Sequence, residues 1–373
     1  MNKNKIILIT HEYPPQRGGA GVYCEEIGFA ASKHSIDLEI WVPAGTSIND
    51  GTKVKKMPHK GSQDWSCSWS LFQFFKKNRY SAKYLHIADP GSLRAMIRFG
   101  WLLSNLPPLI ITIHGSELLR FTRFRAERIL FRRLLKRAQK IHVLSRHNEE
   151  RLKDFYPEIS KNIHRIPGAP ARRILSIEQN ISEKEEEQPK DTILLLCVGR
   201  IHPRKGQLKL IQAISELSAE TQKKLICRIA GPVIKKSYFA KLKGLAGQTN
   251  CKIEFLEDLK DTDLRKEYEK SDLFALTSIP QKKSIEGFGF VYLEASAHGL
   301  PVIAHRTGGV EDAVIKGETG FLADPNDSAD LCRKIDLLIK DRELRKRMGA
   351  RGKEWASKHT WREVVTRLYE DPA

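Results

Sequence analysis

The 373-residue sequence contains no apolar run long enough to cross a bilayer; its longest, among them Ile193–Val198 and Lys5–Thr10, have the length of a strand. No membrane-crossing segment is expected. At its start, Met-Asn-Lys-Asn-Lys runs directly into the first strand without the regions of a signal peptide, which predicts a cytoplasmic location. Cysteine is sparse and scattered: Cys24, Cys67, Cys197, Cys227, Cys251 and Cys332 include no C-x-x-C pair or other metal spacing. They are expected to be reduced core residues, with no metal bound. Acidic residues are in deficit, 45 against 64 basic ones, giving a net charge of +19 and a pI of about 9.6. That imbalance implies an anionic partner, which composition leaves open between nucleic acid, an acidic membrane and a phosphorylated substrate. No nucleic-acid recognition motif or aromatic-basic RNA platform is visible, so nucleic acid is not the expected partner. There is no short internal repeat either.

What is present is the alternation of a doubly wound α/β protein. At this length two domains are expected, and two domains create a cleft. KIILITHEYPP reads as a buried strand broken at a double proline, followed by the turn QRGGAG and a helix from about Val22 to Lys33. Further strand-length runs follow at 38–42, 84–87, 109–113 and 140–144. Pro167, Gly168 and Pro170 close this first half, predicting a domain over 1–170, and the acidic, weakly apolar stretch within 171–190 reads as a linker or loop. DTILLLCVGR then restarts the grammar for a second domain over 191–356, with strands near 225–230, 253–256, 273–277, 302–304 and 320–322. The remaining 357–373 reads as a C-terminal helix able to pack on either domain.

Four features converge on one kind of ligand. Gly18 and Gly19 open a helix after the first strand, where backbone N–H groups can approach an anion. Arg200 stands at a strand's C-terminal end with Lys205 beside the next helix, two cations suited to a diphosphate. Glu286-Gly287-Phe288-Gly289-Phe290 leads to Glu294, so that one carboxylate could grip a ribose and the other orient a hexose. His114 ends the strand at 109–113, from which it would face the cleft.

Taken together these residues resemble the retaining family-four glycosyltransferases of GT-B architecture, along almost the whole chain. Gly18-Gly19 is similar to that family's first glycine loop, His114 to its cleft histidine, Arg200 and Lys205 to its diphosphate clamp, and Glu286 with Glu294 to its paired acids. The run Ala295–Ala304, followed by Gly308-Gly309 and Gly317–Leu322, resembles the family's downstream signature. The resemblance implies two Rossmann-like domains facing across a cleft, the first binding acceptor and the second the nucleotide sugar. It implies catalytic roles for His114, Arg200, Lys205 and Glu286, and donor contacts from Gly18, Gly19, Gly287, Phe288, Gly289, Phe290 and Glu294. The reaction implied moves a hexose or N-acetylhexosamine from a UDP- or GDP-linked donor to a hydroxyl of a glycan or lipid-linked acceptor, in cell-envelope or polysaccharide synthesis, without cofactor or metal. Two departures stand out: Glu257 occupies a position where the family often has glycine, and Glu311-Asp312 one where it often has Pro-Glu. The turn at Asp258 and Leu259 would by resemblance face the base, so base preference stays open. A sugar phosphorylase of related fold and a basic nucleic-acid-binding protein are the alternative readings.

Residues 117–140, ELLRFTRFRAERILFRRLLKRAQK, concentrate arginine in one helix-like stretch with Leu118, Phe121, Phe124, Ile129 and Leu135 among the charges. Either it docks on anionic lipid, placing the protein on the inner face of the cytoplasmic membrane, or it packs its apolar side while the arginines stay solvated or bind a phosphorylated saccharide.

Overall fold

The computed structural model describes residues 4–14, 18–46, 51–78, 81–175, 192–282 and 284–370. Among the described residues thirteen strands form two wholly parallel sheets. The first takes β1 (Ile6–Ile9), β2 (Leu38–Val42), β3 (Lys53–Lys56), β4 (Tyr84–Ile87), β5 (Leu109–Ile113), β6 (Ala138–Val143) and β7 (Ile163–Arg165) in the order β3-β2-β1-β4-β5-β6-β7. The second takes β8 (Ile193–Val198), β9 (Leu225–Ala230), β10 (Lys252–Leu256), β11 (Leu273–Leu276), β12 (Val302–His305) and β13 (Gly320–Ala323) in the order β10-β9-β8-β11-β12-β13. In each sheet the strand order reverses beside the first strand of the set, at β1/β4 and at β8/β11, where open α/β sheets form their ligand crevices.

Central strands such as β5, LIITI, and β8, ILLLCV, are almost wholly apolar, Thr112 being the exception in β5, because helices cover both sheet faces. The edge strand β3, KVKK, has no such pattern and gives no strand signal in the sequence. Its lysines suit an edge, since charge there discourages further pairing. Lys53 bridges Asp37 at 2.7 Å and Lys55 lies 5.0 Å over the Trp41 ring. The first helix starts at Gly19 rather than near Val22, because the glycines themselves wind into its first turn, with Val22 N–H donating to Gly18.

The chain divides into two compact units: Met1–Gly168 with Lys282–Phe288 and Thr360–Ala373, and Ala169–Gln281 with Gly289–His359. Two boundaries differ from the sequence reading. Residues 282–288, expected in the second domain, belong to the first unit, carrying Glu286 and Gly287 with them. Ala171–Leu175, expected as linker, are built into the second unit, where His298 Nε2 donates to Ile174 O at 2.8 Å; residues 176–190 of that expected linker lie outside the described residues.

The final helix, Trp361–Tyr369, packs on the first unit, against the helix Gly19–Lys33. A buried polar chain fixes it. Tyr369 OH meets His86 Nδ1 at 2.7 Å, His86 Nε2 meets Thr112 Oγ1 at 2.7 Å, and Tyr23 OH meets His142 Nδ1 at 3.0 Å. His142 Nε2 lies 2.9 Å from the Ile166 carbonyl, which only accepts, so the proton is on Nε2. Burial drives the His142 pKa down to about 3.

The basic stretch is not one helix. It breaks into Ser116–Phe121 and Arg125–Arg137, and β6 begins at Ala138. Leu118, Phe121 and Leu135 go to the core, whereas Phe124 and Ile129 are 61% and 52% exposed.

Candidate active site

In the second unit the site begins where β8 ends. Pro203–Lys205 form a single 3-10 turn, and Gly206 then adopts φ +73° to start the helix Gln207–Ser215. Only glycine fits there: a Cβ would stand 1.8 Å from the Thr277 carbonyl oxygen at the end of β11. Thr277 Oγ1 donates back to Gly206 O at 2.8 Å, Ile279 N–H donates to Arg204 O at 2.9 Å, and Gln207 Nε2 donates to Arg200 O at 3.0 Å. These bonds hold the cationic turn rigidly over the β8/β11 switch point.

Arg200 is exposed and Lys205 half-buried. The Lys205 stem folds back over the strand end, its Cδ and Cε 3.7 Å from where a Gly199 Cβ would stand. His202 reports the local field. Its pKa is lowered by burial and then by Arg204, Arg200, Lys235 and Lys205, so four cations converge on one imidazole. An anion bound here would neutralise that charge.

Farther along the same unit, Gly289 in the left-handed region, φ +88°, begins the helix Phe290–Ala297 with no side-chain cap, and Phe290 is half-buried. Glu294 lies on that helix, 6% exposed. Burial pushes its carboxyl pKa up, opposed by Tyr268, whose hydroxyl donates to Oε2 at 3.1 Å, by Arg173 and by the Ala171 backbone. This carboxylate is therefore already engaged within the unit. At the expected base-facing turn, Asp258 adopts φ +52°, a conformation that favours glycine or asparagine.

The first unit carries its own group of the predicted site residues. His114 follows β5, half-buried, and its Nε2–H donates to Ala88 O at 2.8 Å, which leaves Nδ1 as the acceptor. The His114 N–H donates to the buried Glu117 at 3.1 Å. Segment 284–287 lies directly on this turn: Ser116 and Ser284 hydroxyls are 3.1 Å apart, and Asn148 Nδ2 donates to Gly287 O at 3.3 Å. Gly287 approaches so closely that a Cβ would sit 1.6 Å from His114 O. His114 and the neighbourhood of Glu286 are thus brought together, with Glu286 and Phe288 8% and 2% exposed. Glu117 and Asn148 support this arrangement and were not singled out by sequence. Asn148 sits near a strand end, a weak signal; Glu117 was read only as part of the basic stretch.

Gly18 caps the helix Gly19–Lys33 without a side chain, as expected for a glycine loop. A carboxylate of the chain already stands there, however: Glu12 Oε2 lies 2.6 Å from where a Gly18 Cβ would be, while the space over Gly19 is open. Arg17, between the double proline and these glycines, lies outside the described residues.

The sequence matches two family models, Glycosyltransferase Family 4 over residues 17–169 and Glycosyl transferases group 1 over 178–355. It is 30% identical over 394 residues to a D-inositol 3-phosphate glycosyltransferase of Corynebacterium efficiens, spanning 94% of this chain and 89% of that one. The chain is a family-four glycosyltransferase. A second relative of this transferase, 24% identical over 98% of the chain and 97% of its own length, is a GDP-mannose-dependent alpha-(1-6)-phosphatidylinositol monomannoside mannosyltransferase of Mycolicibacterium smegmatis. Among solved structures, a sucrose-phosphate synthase from Thermosynechococcus elongatus superposes with a TM-score of 0.79 at 20% identity, covering 98% of this chain and 97% of that one. Anabaena HepE in complex with UDP and glucose gives 0.73 at 18% identity, covering 98% of both chains. The two parallel sheets of the transferase are accordingly the two Rossmann-like halves of the GT-B architecture. Its activity is glycosyl transfer.

Proposed function

We propose that the transferase uses a GDP- or UDP-linked hexose or N-acetylhexosamine and forms an α-linkage with retention, without a metal at the diphosphate. The observation that carries this reading is the turn at the end of β8, which Gly206 and the bonds from Thr277, Ile279 and Gln207 fix with Arg200, Arg204 and Lys205 on it. Cations fixed before the reaction stabilise charge that grows on the leaving diphosphate, the electrostatic task a metal performs elsewhere. The bond between the anomeric carbon and the β-phosphate oxygen breaks as the acceptor oxygen bonds that carbon on the same face, and the departing nucleoside diphosphate takes the acceptor proton. His114 Nδ1 accepts a hydroxyl of the sugar, and Glu286 orients the ring. Donors of both bases remain in view because one relative is named for GDP-mannose and HepE holds UDP. The inositol-containing acceptors named for two relatives support a polyol or glycolipid acceptor hydroxyl.

The donor assignment is tested by titrating GDP and UDP into the protein while following the His202 ring protons and the melting temperature. The matching nucleotide should raise the His202 pKa, because its phosphates oppose the four cations. At a hundredfold excess over Kd it should add about 2.7 kcal/mol of apparent stability. Neither response with GDP, UDP or their sugars would remove the assignment.

For the acceptor side, a membrane reading is favoured by a specific surface. Trp65, Trp69 and Trp101 are 65%, 48% and 59% exposed, and Phe124 and Ile129, beside and on the helix Arg125–Arg137, are exposed as well. The helix Pro90–Phe99 packs against both the helix Trp65–Lys77 and the helix Arg125–Arg137, and Arg98 lies 4.2 Å over the Trp65 ring. Aromatic side chains beside a basic helix suit an anionic lipid interface. Sedimentation with phosphatidylcholine vesicles, with and without phosphatidylglycerol, should show binding that requires the anionic lipid. Trp65→Ala/Trp69→Ala should weaken that binding by about tenfold or more; partitioning indifferent to lipid charge would exclude this docking mode.

A further inference from the structure

Three residues able to bind a metal meet at the C-terminal end of β1, although His11 and His59 lie 56 and 8 residues from Cys67 in sequence. Each comes from a separately anchored segment. His11 follows β1 and donates its N–H to Asp89 at 2.9 Å. His59 lies in the loop after β3, where its Nδ1 accepts from Gly61 N–H at 3.2 Å. Cys67 sits in the first turn of the helix Trp65–Lys77, its N–H on the capping carboxylate of Asp64 at 2.7 Å. All three are buried, at 1%, 7% and 5% exposure.

Their ligand atoms point at one another. Cys67 Sγ is 3.1 Å from His59 Nδ1 and 3.8 Å from His11 Nδ1, and one ligand atom from each residue lies within 4.8 Å of the others. On a tetrahedral zinc ion, Zn–N bonds of about 2.0–2.1 Å and Zn–S bonds of about 2.3 Å put nitrogen and sulfur about 3.6 Å apart. The two observed separations bracket that edge.

As a simple hydrogen-bonded cluster the same group is poorly satisfied. The Nε2 atoms of both His11 and His59 are buried with no partner among the described residues, at a cost of about 1–3 kcal/mol each. An ion held by the two Nδ1 atoms and the thiolate does not relieve those Nε2 atoms; what it satisfies is the inward-facing set of Nδ1 and Sγ atoms that crowd one another. Asp89 stands behind the cluster rather than in it, since its two oxygens accept from the N–H groups of His11, Gly91 and Ser92.

We propose that His11, His59 and Cys67 bind a zinc ion in the first unit, with water completing the tetrahedron. One thiolate and two imidazoles are a borderline-soft set that selects zinc over magnesium or manganese. On binding, the His11 proton moves from Nδ1 to Nε2 and Nδ1 exchanges its contact with Ser62 O, at 3.0 Å, for the metal; His59 Nδ1 gives up the Gly61 N–H, and the thiol proton is released to solvent. The ion clasps the loop after β3 and the start of a helix to the end of β1. None of its ligands belongs to the groups assigned to the donor or the transferred sugar, so occupancy can be read without an activity assay.

The full-length protein is incubated with equimolar zinc chloride, passed through gel filtration and analysed for metal. About one zinc per chain is expected, falling severalfold or more in Cys67→Ser, while the control Cys332→Ser, a half-buried thiol outside the cluster, keeps it. Should Cys67→Ser fold poorly, cobalt loading of the unaltered protein decides: a thiolate-to-cobalt charge-transfer band with tetrahedral ligand-field absorption supports the site. Retention of less than about one-tenth of an ion, zinc unaffected by Cys67→Ser, or a cobalt spectrum without thiolate overturns it.

Discussion

Replacing Lys205 with alanine is expected to lower turnover by about 10²–10³-fold, the range found when one preorganised donor to a developing anion is removed. The stem of Lys205 lies over the end of β8 and its turn is closed by Gly206, so the ammonium is placed before donor arrives. Loss should fall mainly on kcat, because charge on the leaving diphosphate is greatest in the transition state. Melting temperature should change little, as Lys205 is only half-buried and the turn is fixed by backbone bonds to Arg204 and Gly206. Lys205→Arg should recover part of the rate by keeping the charge while altering its reach. Arg200→Ala should be comparable, and the double variant less than additive if both cations serve one phosphate. Steady-state kinetics with a confirmed donor checks each value; a Lys205→Ala enzyme within about threefold of the parent rate contradicts the electrostatic assignment.

The sequence exposed the alternating grammar because the central strands are continuous apolar runs and their helices are amphipathic. It concealed β3 because KVKK carries no period-two apolar face, and it concealed the break at 122–124 because arginine-rich sequence reads as helix on both sides. Arg200 and Lys205 were legible since they stand at a strand end and the next turn, positions set by local chain geometry. The placement of 282–288 was not: its membership in the first unit depends on Gly287 meeting His114, a contact between residues far apart in sequence. The same reason hid the His11, His59 and Cys67 cluster. Spacing rules detect ligands grouped on one segment, whereas these gather from a strand end, a loop and a helix only after the sheet has formed.

That long-range contact carries the second large effect. Alanine at 287 adds one methyl group, yet its Cβ would begin 1.6 Å from the His114 carbonyl oxygen. Real Cβ contacts essentially never fall under 3.0 Å, so the segment must move away by at least 1.4 Å, the difference between 3.0 and 1.6. A flexible side chain cannot absorb that shift because both sides of the clash are backbone. The Asn148 bond to Gly287 O, already 3.3 Å long, would be lost with it. Glu286, the adjacent residue, would be carried along with it, and a displacement of about 1 Å at reacting groups costs on the order of 10²-fold in rate. Gly287→Ala should therefore reduce kcat by about 10²-fold or more. The cationic turn at Arg200 and Lys205 is built from other residues, so nucleotide affinity measured by calorimetry should stay within about threefold of the parent. Asn148→Ala, which loosens the same contact without the clash, should cost closer to tenfold. If Gly287→Ala instead folds normally and turns over at the parent rate, the packing of 284–287 on His114 is not what positions the sugar, and the catalytic roles given to His114 and Glu286 fail together.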